Sequence, residues 1–261
     1  MINTYTSYRM ISADLTKSIE RVKNQPQVQR ETEYYLENIT KVKSIDDLVS
    51  DTRLFRYAMK AHGLEDMTYA KAFMVKALEG GIDDADSFAN KLTDKRYADF
   101  VETFNFARYG ESTTVFTKAQ QGTVDKYLRQ TLEEDAGAQN EGVRLALNFA
   151  RNAADINNAY DILANTAYAK VVRTVLGLPD SFASADIDKQ AAMIEKRIDL
   201  EDFKDAEKLD KFLTRFTSMW ELQNPTTSAT TSMAALFSQP VEYGISADVM
   251  MTLQGLKLGG R

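Results

Sequence analysis

The chain has 261 residues, and 32 lysines and arginines against 38 aspartates and glutamates give it a formal charge of −6 at pH 7. This acidic balance argues against a nucleic-acid-binding surface, which needs a basic footprint. The sequence has no cysteine and one histidine, which excludes thiol nucleophiles, disulfides, zinc–thiolate sites and every site that needs two imidazoles.

The N-terminal part, residues 1–27, is predicted to be an amphipathic helix that spans about 7–24 and ends before Pro26. Its first residues are polar and lack the basic start and apolar core of a Sec signal. One face carries apolar side chains at intervals of three and four, which favours a helix with an apolar stripe. We expect this stripe to bind a partner through Tyr8, Ile11, Leu15 and Ile19.

Two stretches of the chain resemble each other at an offset of 114 residues, because 47–64 aligns without a gap with 161–178. In each copy an aspartate opens a turn. A glycine, Gly63 or Gly177, then ends a helix by adopting the left-handed backbone conformation, which is energetically less favourable for residues that have a Cβ. We predict two units of about four helices each, unit A at 28–110 and unit B at 142–222, joined by a connecting helix within 111–141.

The sequence offers few candidates for chemistry. His62 lies on an apolar face before a helix-ending glycine, so we interpret it as a packing residue and not as a general base. The acidic run at 83–86 lacks the spacing of a calcium loop and is interpreted as a solvated turn. Residues 133–135 are expected on an exposed face. We predict no catalytic, cofactor or metal site; an enzyme with carboxylates in a groove between the units is a third hypothesis.

The C-terminal part, 223–261, is predicted to be a linker followed by a second amphipathic helix. Residues 224–232 are rich in serine and threonine and have little to bury. Beyond them an apolar stripe at helical spacing is assigned to partner binding, and it consists of Ile245, Val249, Met250, Leu253 and Leu256. This helix either packs back onto its own bundle or binds a partner.

These elements together predict an all-α fold, a helical bundle built from two similar multi-helix units with amphipathic helices at both termini. Alternating β-branched stretches are almost absent, and apolar residues recur at three and four. No run approaches the ~20 apolar residues that cross a bilayer, so no transmembrane segment is expected.

Two segments carry a resemblance to a known family: residues 44–64 and 94–100. On these residues the chain resembles domain-of-unknown-function family twelve-seventeen, an uncharacterised family found mostly in alphaproteobacteria. The family has no established activity, so it transfers no catalytic residues. Its members are often encoded among flagellar genes, and this association implies a flagellar setting.

The flagellar setting is what the resemblance implies, whereas the two amphipathic ends around a helical body without candidate chemistry are the sequence observation. Together they predict a non-enzymatic, flagellum-associated structural or assembly protein that acts through helix-mediated protein–protein contacts. The alternative is a cytoplasmic helix-binding module or export chaperone whose groove between the units holds a helix. The expected partner is a protein, either a flagellar component or a second copy of the chain, and not a nucleic acid. The expected location is the flagellum or the cytoplasm.

Overall fold

A computed structural model describes residues 3–225, and α-helices with short 3-10 turns make up the regular structure of this range, which confirms the all-α prediction. In chain order the helices are α1(Thr4–Ser12), α2(Leu15–Lys23), α3(Pro26–Ile39), α4(Ile45–Ser50), α5(Thr52–Ala61), α6(Lys71–Gly80), α7(Phe88–Lys91), α8(Lys95–Thr103), α9(Phe106–Tyr109), α10(Gln121–Gln139), α11(Glu141–Asn152), α12(Ala159–Leu163), α13(Thr166–Leu176), α14(Ile187–Arg197) and α15(Ala206–Gln223). Within residues 3–225, no helix combines the length and the hydrophobicity needed to span a bilayer. The helix predicted near the C terminus, with Ile245, Val249, Met250, Leu253 and Leu256, lies outside the described residues.

The buried side chains of residues 3–225 form two hydrophobic clusters. The first draws on residues 22–132 and contains the fully buried rings of Tyr35, Phe55 and Phe100. The second contains Tyr8 and draws on residues 143–220, and it includes the fully buried ring of Phe149. Helices α10 and α11 pack along each other where the two clusters meet. The predicted similarity of units A and B as whole structures stays a prediction.

Matching helix caps occur at the start of the two stretches that align in sequence, with the N-cap residue three positions before each stretch. Ser44 Oγ accepts from the backbone N–H of Asp47 at 3.1 Å, and Asp47 Oδ2 accepts from the N–H of Ser44 at 3.0 Å. Asn158 and Asp161 make the same reciprocal pair at the start of α12, at 3.0 Å and 3.3 Å. Each pair is a capping box, which satisfies N–H groups that have no partner within the helix.

The next cap residues, Asp51 and Asn165, accept from two backbone N–H groups at the starts of α5 and α13. Replacing either by alanine is expected to lower the free energy of unfolding by about 1 kcal/mol, with the larger loss at Asp51 because it also accepts from the Tyr34 hydroxyl at 2.7 Å. Urea denaturation of the full chain measures this loss. Asp51→Asn retains a cap oxygen and serves as the control; an equal loss in that variant would refute the capping role.

The two predicted helix-ending glycines are confirmed. Gly63 has φ 69° and Gly177 has φ 65°, both in the left-handed region. After each, the next residue folds back onto the helix: the Leu64 N–H donates to the Met59 carbonyl at 2.8 Å, and the Leu178 N–H donates to the carbonyl five residues earlier at 2.9 Å. This pattern ends a helix while satisfying its last carbonyl groups.

The prediction of one N-terminal helix over 7–24 is wrong, because the structure has two, α1 and α2. Asp14 lies between them in a non-helical conformation, with φ −140° and ψ 75°. Its side chain accepts from the backbone N–H of Lys17 at 2.9 Å and so starts α2 as an N-cap. The break lets α1 pack against α11 and α15 while α2 packs against α10.

The helix expected to connect the two units corresponds to α10, which begins at Gln121. One of its faces is buried in the first hydrophobic cluster, through Val124, Tyr127, Leu128 and Leu132. A second face lies against α11. The helix is therefore part of the packed body and contacts both clusters.

Candidate functional site

A groove of about 400 Å³ lies between the N-terminal helices α1 and α2 and the central pair α10 and α11. We call it the N-terminal groove. Its apolar lining comes from Tyr8, Leu15, Ile19, Leu147 and Ala150. Three of the four residues predicted for partner binding in this part of the chain are thus brought together.

The fourth predicted residue, Ile11, packs against both hydrophobic clusters. Tyr8 is 4% exposed and belongs to the second cluster, whereas Leu15 and Ile19 are half-buried against the first. Burial raises the pKa of the Tyr8 phenol, and the negative charge of Asp210 adds to this, so Tyr8 is a neutral hydroxyl at physiological pH. The role of these residues in partner binding stays a prediction.

The polar edge of the groove contains Ser12 and two arginines that share one buried carboxylate. The Glu133 side chain is 1% exposed. Arg129 Nε donates to Glu133 Oε1 at 3.2 Å, and Arg151 Nη2 donates to Oε2 at 3.0 Å. Arg151 Nε lies 2.9 Å from Oε1 but is not aligned to donate to it. We call these three residues the Arg–Glu–Arg cluster.

Neighbouring side chains add further hydrogen bonds to this cluster. Asn148 Nδ2 donates to Glu133 Oε2 at 3.2 Å, and Gln130 Oε1 accepts from Arg151 Nη2 at 3.1 Å. Both Glu133 oxygens are thereby engaged, as a buried carboxylate requires. Two cations and one anion leave the cluster with one surplus positive charge beside the groove.

The expectation that residues 133–135 lie on an exposed face is wrong for Glu133. Successive residues of a helix point in directions about 100° apart, so Glu133 is buried, Glu134 is half-buried and Asp135 is exposed. Glu134 pairs with Lys60 of α5 at 2.7 Å. The sequence signal for the buried pair is the i, i+4 spacing of Arg129 and Glu133, a spacing that also occurs on solvated helix faces.

A second polar cluster surrounds the single histidine. His62 is buried, as the packing interpretation requires, and its ring lies 5.3 Å from that of Phe100 between centroids. Its Nδ1 lies 2.7 Å from Asp99 Oδ2, and Lys126 Nζ donates to both Asp99 oxygens at 2.7 Å and 2.6 Å. Because an ionised carboxylate only accepts, Nδ1 carries the proton. The cluster ties α5, α8 and α10 together.

Burial lowers the pKa of His62, despite the opposing hydrogen bond to Asp99, and the positive charge of Lys126 adds to the shift. The folded protein therefore holds a neutral imidazole, whose Nε2 has no hydrogen-bond partner among residues 3–225. An unfolded chain takes up this proton near pH 6.5. Folding thus opposes protonation, and stability is lost as the pH falls below that value.

We expect the free energy of unfolding to fall as the pH is lowered below 6.5, by at most about 1.4 kcal/mol per pH unit. Urea denaturation across this range measures the slope. His62→Gln retains a donor for Asp99 but does not titrate, so its slope should be nearly flat. The chain has one histidine, so an unchanged slope in this variant would assign the pH dependence to other groups.

The acidic run at 83–86 is exposed, and the residue that follows it, Ser87, caps the short helix α7. Asp83 and Asp86 make ion pairs with Arg108 at 3.3 Å and Lys91 at 3.2 Å. Within residues 3–225 no group of three or more histidine, aspartate or glutamate side chains is arranged to hold a metal ion. The run has the geometry of the solvated turn that the sequence suggests.

The chain is similar to a protein of known structure and to one protein family. A crystal structure of a protein from Agrobacterium tumefaciens is 55% identical to the chain, with a TM-score of 0.80 over 85% of this chain and 94% of that one. A search of curated proteins finds no match. The family model of DUF1217 matches residues 61–209, more than half of the chain, and takes in both polar clusters. The chain therefore belongs to DUF1217, a family of proteins of unknown function.

Proposed function

We propose that the chain is a non-enzymatic, flagellum-associated structural or assembly protein that acts through helix-mediated protein–protein contacts. The observation that carries the helix-mediated contact is the N-terminal groove. Its walls, α1 and α2 on one side and α10 and α11 on the other, present half-buried aliphatic side chains next to buried ones. Grooves between helices are a common way to hold the apolar face of another helix.

The N-terminal helix α1 that forms one wall of this groove is held in place by polar contacts to the other end of the described chain. The backbone N–H of Thr4 donates to Glu221 at 2.9 Å, and Arg9 pairs with Asp210 at 2.6 Å. Asn140 Nδ2 donates to the Thr4 hydroxyl at 2.9 Å. The wall is therefore fixed to α15 and to the start of α11, as a preformed binding surface requires.

The flagellar setting rests on the resemblance, through the position of family genes among flagellar genes. Its test is fractionation of the native bacterium, with and without a working flagellar export apparatus, by probing cytoplasm, purified basal bodies and medium for this protein. We expect the protein outside the cytoplasm or on basal bodies only when export works. Cytoplasmic residence in both strains, with normal swimming of cells that lack the protein, would contradict the proposal.

The same groove favours the second candidate, a cytoplasmic helix-binding module or export chaperone. Such a protein would stay in the cytoplasm in both strains and form a one-to-one complex with an exported subunit. Affinity purification from the export-deficient strain, followed by measurement of the mass of the complex, distinguishes the two functions.

A further inference from the structure

We infer that the N-terminal groove binds one apolar face of an amphipathic helix from a protein partner, and that this helix carries a carboxylate which pairs with the Arg–Glu–Arg cluster. The inference rests on the proposed function, because it names the site and the partner chemistry of a helix-mediated contact.

The apolar side chains of the groove form two ridges, one on α2 and one on α11, between which a third helix can pack. Leu15 and Ile19 lie one turn apart on α2, and Leu147 and Ala150 lie three residues apart on α11. Two such ridges leave a channel between them for the i, i+3, i+4 and i+7 side chains of a third helix. The volume of about 400 Å³ is at the lower end of the range for ligand pockets, so it admits only a few side chains.

The polar half of the groove supplies the charge preference. Arg129 and Arg151 are 13% and 25% exposed, and the one carboxylate between them is 1% exposed. Glu133 already accepts hydrogen bonds from both guanidinium groups and from the Asn148 amide, so it cannot neutralise both arginines. The surplus positive charge lies beside the groove in a partly desolvated setting, where a charge pair is stronger than in water. A partner carboxylate balances it, whereas a partner lysine meets repulsion.

The test uses the full chain and two synthetic, fluorescent, end-capped helical peptides that differ at one position. Both carry leucines at i, i+3, i+4 and i+7, and one has a glutamate beside this stripe where its twin has a glutamine. We expect the glutamate peptide to bind about tenfold more tightly in fluorescence anisotropy, the effect of one charge-assisted hydrogen bond. Raising the salt concentration should reduce the difference.

Arg129→Gln removes the surplus charge but leaves Glu133 paired with Arg151, so we expect the variant to fold and to bind both peptides equally. The matched control is Arg215→Gln, which makes the same change of charge at an exposed position of α15 and should keep the tenfold preference. Ala150→Leu fills the groove and should weaken both peptides alike. Circular dichroism of each variant is the control for folding.

Equal binding of the two peptides by the native chain, or a preference that survives Arg129→Gln, would overturn the inference. It would also be overturned if an unlabelled synthetic 241–261 peptide bound more tightly than the glutamate peptide and displaced it, because the occupant would then be this chain's own end. If the native chain self-associates and Ala150→Leu abolishes this, the groove binds a second copy, and the inference is likewise overturned. If the glutamate peptide binds as expected but the protein shows no export-dependent localisation, the inference about the groove stands and the proposed flagellar role is rejected.

Discussion

Replacing Glu133 by glutamine is expected to lower the free energy of unfolding by about 3 kcal/mol. The variant keeps the shape of the side chain and its contact with Asn148 but leaves two arginines facing each other without their shared anion. Breaking a buried ion pair from one side typically costs about 3–5 kcal/mol. We expect the lower end because Arg129 and Arg151 are 13% and 25% exposed and water screens part of their repulsion.

Urea denaturation of the full chain measures this loss, and Glu207→Gln is the matched control. Glu207 makes an i, i+4 pair with Lys211 at 2.7 Å, but the two side chains are 79% and 71% exposed. An exposed pair of this kind contributes at most about 0.5 kcal/mol. If the two variants lost equal stability, burial of the Arg–Glu–Arg cluster would not govern its energetics.

The double variant Glu133→Gln with Arg129→Gln separates charge repulsion from lost packing. Removing the second cation relieves the repulsion, so the double variant should be more stable than Glu133→Gln alone, by about 1 kcal/mol or more. A further loss would show that the arginine side chain stabilises the α10–α11 contact through its hydrocarbon stem.

Local signals explain why much of the fold could be predicted from the sequence. Gly63 and Gly177 end their helices in the left-handed region as predicted, because that preference depends on the residue itself. The helical period of apolar residues likewise predicted an all-α chain. The break at Asp14 was missed because one apolar stripe continued across it, although Asp14 carries the N-cap signal that ends α1 and starts α2.

The candidate site depends on contacts between distant parts of the sequence, which a single sequence does not reveal. Glu133 meets Arg151 only because α11 turns back along α10 after Asn140. His62 and Asp99 are 37 positions apart. Before folding, Arg129 and Glu133 have the spacing of an ordinary surface pair. Three of the apolar residues that line the groove on α1 and α2, namely Tyr8, Leu15 and Ile19, were found from the sequence as one regular stripe, although it was placed on a single helix.

Replacing Gly142 by alanine is expected to lower the free energy of unfolding by about 1–3 kcal/mol. Gly142 lies in the first turn of α11, directly against the indole of Trp220 on α15. A Cβ at this position would overlap Trp220 Cδ1 and lie 2.5 Å from Nε1. The clash outweighs the helix propensity that alanine adds, about 1 kcal/mol, because the buried ring must move to admit the methyl group.

Gly122→Ala is the control, since Gly122 also lies in the first turn of a helix, α10, and its nearest atom to a new Cβ is a backbone oxygen at 3.4 Å. There the gain in helix propensity should leave stability unchanged or raise it. The chain has one tryptophan, so its fluorescence reports directly on the packing of α11 against α15. A spectrum and urea midpoint for Gly142→Ala that match those of Gly122→Ala would mean that close approach of these helices does not require glycine.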